Sequence, residues 1–171
     1  MNYAITMKSA VAAAAVLLVS ACASNTTGPD IVAAPGDGSD QSTRAQGPVP
    51  GSQADLEANA GHRVFFGYDE YALTTQARDT LARQASWLKQ YPNSKIIVSG
   101  NCDERGTREY NLALGARRAN AARAYLVSLG VDSSRITTVS YGKDQPIDPR
   151  STPEAWARNR NATSTIAGSG V

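Results

Sequence analysis

Histidine, cysteine and aromatic residues are scarce in this 171-residue chain, and each scarcity closes off a class of chemistry. His62 is the only histidine and falls at the start of a β-branched, aromatic stretch, so no nucleophile–base–orienter triad presents itself. Two cysteines, Cys22 and Cys102, do not make a zinc set with one histidine, and no run of alternating oxygen ligands resembles a calcium loop. Aromatics are 6% of the residues and do not alternate with cations, and the formal charge is only +2, which argues against a nucleic-acid partner. The apolar run from Ala10 to Val19 is too short for a membrane-spanning helix.

What is present begins with an address. Lys8 followed by that apolar run has the pattern of a secretory signal peptide over residues 1–21. It ends Val19-Ser20-Ala21-Cys22, which resembles the cleavage box of bacterial lipoproteins; an ordinary signal peptide with a chance cysteine is the alternative. Lipid on Cys22 would anchor the mature N-terminus, each buried methylene contributing about 0.8 kcal/mol. Ala23 in place of Asp resembles outer-membrane sorting. Residues 22–60 are rich in Ala, Gly, Ser, Pro and Asp and read as a flexible linker, with weak helix around residues 54–60. Residues 23–62 carry one Arg against five acids, whereas residues 63–171 are basic, so a mildly basic domain sits on an acidic tether. That balance suits an anionic or zwitterionic partner.

The folded domain is expected over residues 61–167, with a tail at 168–171. His62–Phe66 predicts a strand stopped by Gly67, and Tyr68 to Tyr71 a polar-aromatic loop. Leu73, Ala77, Leu81, Ala85 and Leu88 recur at helical spacing and predict a helix over 75–90, with Thr74 as N-cap and Tyr91-Pro92 as stop. A strand follows over 95–99. A second helix runs from 109 or 110 to 129 with the stripe Leu112, Ala116, Ala119, Ala122, Leu126 and Leu129, and Gly130 stands at its C-cap. A strand over 135–141, a short helix from Thr152-Pro153 to about 158 and a strand over 161–166 complete the order β-α-β-α-β-α-β. The last strand is weakly hydrophobic and reads as an edge or terminal element.

Chemistry concentrates between the second strand and the second helix. Asp103, Glu104, Arg105 and Arg108 crowd around Gly106, a mixture of signs that fits either a solvated turn or a site for a ligand of both charges. Arginines interleaved with these acids lower carboxyl pKa values, which suits pairing better than proton donation and argues against an enzyme. Glu104 or Glu109 as a general acid is the competing, enzymatic reading. Cys102 reads as a small buried hydrophobe, with a reactive thiol as the alternative. Asp103 and Arg118 bracket the loop and the first two turns of the helix, where they form either a ligand-binding pair or a salt bridge that pins the loop.

The stretch Asn101-Cys-Asp-Glu-Arg-Gly-Thr-Arg-Glu-Tyr-Asn-Leu-Ala-Leu-Gly-Ala-Arg-Arg-Ala-Asn120, with Phe65-Phe-Gly-Tyr-Asp69, Val139-Ser-Tyr-Gly-Lys143 and Asn159-Arg160, resembles the lipoprotein branch of the OmpA-like C-terminal domain family. The resemblance covers about residues 62–166, and the lipobox and tether complete its layout. It implies an α+β fold, a two-layer sandwich with a mixed sheet. It also implies noncovalent binding of the peptidoglycan stem peptide at meso-diaminopimelate, without a cofactor. Asp103 then matches the aspartate that takes the ammonium, and Arg118 the arginine that takes the carboxylate with a bidentate fork. Tyr68, Asp69, Arg105 and Leu114 match pocket positions, Asn111 the residue that holds the loop, and Arg117 a structural neighbour. The resemblance further implies TolB and the Tol complex as partners, competing with the wall for one surface, and a domain in the periplasm held to the outer membrane. Two positions depart from it: Cys102 stands where many members have Thr or Ala, and Asn161 where many have a second arginine.

Overall fold

Four helices accompany a four-stranded sheet, with α2 and α3 packed against it, in the computed structural model, which describes residues 47–168. The expected signal peptide, Cys22, most of the expected tether and the expected tail beyond residue 168 lie outside the described residues. The elements are α1 (Gln53–Asn59), β1 (Arg63–Phe65), α2 (Thr75–Gln90), β2 (Ile96–Asn101), α3 (Arg108–Ser128), a 3-10 turn (Ser133–Arg135), β3 (Ile136–Gly142), α4 (Pro153–Asn159) and β4 (Asn161–Ile166). Among the described residues no helix is long and apolar enough to cross a membrane.

Local chemistry sets the helix ends. Thr74, Thr107 and Thr152 each accept from a backbone N–H three residues on, the N-cap arrangement, and Pro153 occupies the first turn of α4, where its missing N–H costs nothing. At the end of α3, Gly130 with φ 88° donates to the Val127 carbonyl and Val131 donates to Leu126, a Schellman closure. The C-terminus of α2 is closed from a distance: Nη2 of Arg135 donates to the carbonyls of Leu88, Tyr91 and Ser94 at 2.7–2.9 Å, a cation set against the negative end of the helix.

The strand order is β1-β4-β2-β3, with β4 antiparallel to both neighbours and β2 parallel to β3, so the sheet is mixed. Ile96, Val98, Leu81, Leu88 and Leu126 meet between sheet and helices, each at most 1% exposed. Burial of side chains this size stabilises by roughly 1.5–3 kcal/mol each. α3 descends onto the sheet where two glycines meet: a Cβ on Gly100 would stand 1.8 Å from the Gly115 carbonyl oxygen.

Three expectations need correction. β4 is an interior strand, not an edge. Its weak hydrophobicity is accommodated because its buried polar groups are bonded: Ser164 Oγ donates to Gln84 Oε1 at 2.8 Å, and Asn161 Nδ2 donates to the Arg158 and Asn159 carbonyls. Residues 53–59, assigned to the linker with weak helix over 54–60, form α1 and pack onto the domain. Leu56 is 1% exposed, and Asp55 accepts from the Trp87 indole at 3.0 Å and from Gly51 N at 2.8 Å. The weak helix expected over 54–60 is thus present, and what the sequence does not show is its packing against α2. Finally, the first half of α3 is rotated from the expected stripe. Asn111, Leu114, Gly115 and Arg118 face inward while Leu112 and Ala116 are only half-buried, because Gly115 must face Gly100.

Candidate functional site

The site lies at the C-terminal end of β2. The β2–β3 ladder shifts register between Gly100 and Asn101, and such irregularities bend a strand and re-aim the residues after it. Cys102 and Asp103 follow this shift and turn towards a cavity of about 160 Å³. The cavity is closed by the 103–107 loop, the first half of α3, the loop after β1 and Arg160 at the α4–β4 junction. Asp103, Arg118, Tyr68, Asp69, Arg105, Leu114 and Asn111 all line it. Cys22, the remaining residue singled out, lies outside the described residues.

Asp103 is 5% exposed and receives four donors. Arg105 gives its backbone N–H (3.2 Å), Nε (3.1 Å) and Nη2 (2.7 Å), and Arg160 gives Nη1 at 3.2 Å. Burial works against the charged form, but these bonds outweigh it and hold the Asp103 carboxyl below the usual carboxylate range. Asp103 therefore pairs with Arg105 and Arg160, and not with Arg118.

Arg118 is fully buried. Nε donates to the Glu70 carbonyl (2.8 Å), Nη1 to the Asn101 carbonyl (2.8 Å) and Cys102 Sγ (3.4 Å), and Nη2 to the Gly67 carbonyl (3.1 Å). Burial pulls its pKa down. None of the described ion pairs includes Arg118, so its charge is met by three carbonyl dipoles, the Cys102 sulfur and the Phe66 ring, whose centroid lies 5.3 Å from the guanidinium carbon. A guanidinium has five N–H groups. The four contacts leave one N–H on Nη2, so the bidentate fork expected of Arg118 is unavailable unless a carbonyl contact is given up.

Asn111 holds the loop from within, its Nδ2 donating to the carbonyls of Arg105 (2.7 Å) and Thr107 (3.0 Å). Leu114, 5% exposed, supplies an apolar wall. Asp69 takes a left-handed φ of 56°, a region Asp tolerates, and accepts from the Tyr110 hydroxyl; that bond raises the Tyr110 pKa. Tyr68 and Tyr110 stand exposed at the rim.

Cys102 is buried and free, its thiol donating to the Asn111 carbonyl at 3.4 Å, and burial pushes its pKa up. Asn161 is fully buried, its Oδ1 accepting from Asn101 Nδ2 at 2.9 Å, so it ties β4 to β2 and stays out of the cavity. Glu104 accepts from the Trp156 indole (2.9 Å) and from Ser151 Oγ (3.0 Å), which makes it a brace between loops. No group of three His, Cys, Asp or Glu among the described residues is placed to hold a metal ion.

Four lining residues, Cys102, Gly106, Tyr110 and Arg160, are not among the site residues the sequence singles out, and the last two contribute polar side chains. Arg160 was legible only as part of the Asn159-Arg160 pair, and its contact with Asp103 spans 57 residues. Tyr110 looked like the start of a helix. Altogether three arginines and two aspartates line the cavity, an arrangement for a ligand of both signs with a surplus of negative charge.

A two-layer α+β domain with this strand order and a charged cavity at the end of β2 defines an OmpA-like domain. Residues 65–160 match the OmpA family, and the chain belongs to that family. Its relatives include the peptidoglycan-associated lipoprotein of Mesorhizobium japonicum, 47% identical over 94% of this chain and 92% of that one. The peptidoglycan-associated lipoprotein of Agrobacterium fabrum is 50% identical over 72% of this chain and 70% of its own. The crystal structure of the peptidoglycan-associated lipoprotein from Burkholderia pseudomallei superposes with a TM-score of 0.60 at 41% identity, covering 61% of this chain and 89% of that one.

Proposed function

We propose that this domain binds the peptidoglycan stem peptide noncovalently at meso-diaminopimelate, and that the protein is a lipoprotein tethering the outer membrane to the wall. The observation that carries the reading is the pairing of an aimed carboxylate with a buried cation lacking a carboxylate partner. Asp103 is held ionised by Arg105 and Arg160, and Arg118 lines the same cavity with no carboxylate among its described ion-pair partners. The free side-chain end of diaminopimelate carries an ammonium and a carboxylate. Its ammonium would sit at Asp103, and its carboxylate on the cationic side formed by Arg118 and the spare N–H of Nη2. Tyr68, Asp69 and Leu114 would line the ligand, and Asn111 would hold the loop. The relatives named for association with peptidoglycan support this.

Lipid on Cys22 would place the anchor in the outer membrane with the domain in the periplasm. By family, TolB and the Tol–Pal system are the protein partners, and envelope constriction at division is the setting. Of the two acids in the enzymatic alternative, Glu104 and Glu109, the first is engaged by Trp156 and Ser151.

The test is a pull-down of the full chain with isolated peptidoglycan, competed with free meso-diaminopimelate. Asp103→Ala is expected to lose retention while keeping its circular-dichroism spectrum; undiminished retention refutes the site. Arg118→Ala is a poorer probe, since it strands the carbonyls of Gly67, Glu70 and Asn101, each at a cost of roughly 1–3 kcal/mol. Incubation with peptidoglycan should release no muropeptides. Co-purification with TolB separates a Tol–Pal role from service in another envelope complex.

A further inference from the structure

We propose that Trp156, on α4 and outside the cavity lining, is a positioning residue of the site that acts through Arg105; this rests on the stem-peptide reading above. The Arg105 guanidinium carbon lies 4.3 Å from the centroid of the Tyr68 ring and 4.2 Å from that of Trp156. One cation is thus held between two aromatic faces while its edge, Nε and Nη2, is spent on Asp103. Both distances are well inside the range of favourable cation–π contact, and tryptophan is the strongest of the aromatic partners.

The indole does a second thing with its other functional group. Its N–H donates to Glu104 Oε1 at 2.9 Å, and Ser151 Oγ donates to Glu104 Oε2 at 3.0 Å. Lys143 Nζ adds bonds to the carbonyls of Glu104 (3.2 Å) and Gly106 (2.7 Å). The 103–107 loop is therefore gripped from outside by Trp156, Ser151 and Lys143, and from inside by Asn111. With both faces and one edge engaged, the guanidinium has a single orientation, and so has the carboxylate it forks. Trp156 is not what seats α4. That is done by Ala155, fully buried, and by Asn159, whose Oδ1 accepts from the backbone N–H groups of Ile147 and Asp148. Removing the indole leaves α4 docked and uncovers one face of the Arg105 guanidinium, which then keeps only Tyr68 and Asp103.

The experiment measures binding of the tripeptide L-Ala-γ-D-Glu-meso-diaminopimelate to the full chain by calorimetry, with Trp156→Phe, Trp156→Leu, Arg105→Ala and the Trp156→Leu/Arg105→Ala double variant. Trp156→Leu is expected to weaken binding about 5- to 10-fold and Trp156→Phe about 2- to 3-fold. In the Arg105→Ala background Trp156→Leu should add nothing. A readout without ligand is the titration of the Asp103 carboxyl by NMR. In Trp156→Leu it should move upward, because a guanidinium released from its clamp pairs less well and Arg160 remains as the steady partner. Wild-type affinity in Trp156→Leu, equal losses in both backgrounds, or an unmoved Asp103 titration overturns the proposal. Failure of the wild type to bind the tripeptide overturns the stem-peptide reading beneath it, a result these variants cannot produce.

Discussion

Gly100→Ala puts a direct test on how α3 is seated. The added Cβ would lie 1.8 Å from the Gly115 carbonyl oxygen, 2.6 Å from its carbon and 3.1 Å from Ala119 N. All three are backbone atoms, so no rotamer change relieves the clash. Ordinary contact begins near 3.4 Å, and α3 must retreat by most of the missing distance or β2 must buckle. A gap of 0.5–1 Å already forfeits a quarter to a half of the dispersion energy across a contact. Overpacking typically costs about 1–3 kcal/mol, and backbone on both sides places this case at the upper end, about 3 kcal/mol. The corresponding fall in melting temperature is about 10 °C for a domain of this size. Urea unfolding followed by circular dichroism measures it, with an unchanged slope showing that only the native state was affected. Gly47→Ala, with nothing within 4 Å of its added Cβ, is the control and should shift stability by less than about 0.5 kcal/mol. A loss below about 1 kcal/mol for Gly100→Ala would refute the close-approach argument. Because α3 carries Asn111, Leu114 and Arg118, the same substitution should also weaken retention on peptidoglycan.

Leu56→Ala should destabilise by about 2–4 kcal/mol in denaturant titration, since Leu56 belongs to the core and not to a linker; a chain starting at His62 should be similarly weakened. Asp103→Asn tests the acid limb of stability. Folding depresses the Asp103 carboxyl, so its contribution is complete above the unfolded value of about 3.9 and is lost as pH falls through the lower folded value. The gap in melting temperature between wild type and Asp103→Asn should be widest near neutral pH and shrink below about pH 4; a gap independent of pH would contradict it. Cys102, buried with its thiol pKa raised, should react with a thiol reagent only at the rate at which the native fold opens, and rapid modification of folded protein would show otherwise.

Whatever depends on neighbours in the chain was legible before any coordinates. The bounds of α2, with Thr74 as cap, follow from a helical period and a capping hydroxyl, and Gly130 follows from the need for positive φ beyond α3. The cluster around Asp103 announced itself as mixed charge at a strand-to-helix junction, and seven residues selected by resemblance share one cavity. Of the two readings left open for Asp103 and Arg118, the structure does not show the salt bridge: Asp103 is forked by Arg105 and braced by Arg160, while Arg118 donates to backbone carbonyls and to Cys102 Sγ.

Arg105 meets Asp103 from two residues away, but the remaining contacts were for the tertiary structure to decide, because they join segments whose separation carries no local signal. Arg160 reaches Asp103 across 57 residues, Trp156 reaches Glu104 across 52, and Gly100 meets Gly115 because a helix crosses a strand there. The interior place of β4 has the same origin. A weakly apolar strand becomes central when its buried Ser164 and Asn161 find partners on α2 and β2, and hydrogen-bond satisfaction between distant elements leaves no trace in hydropathy.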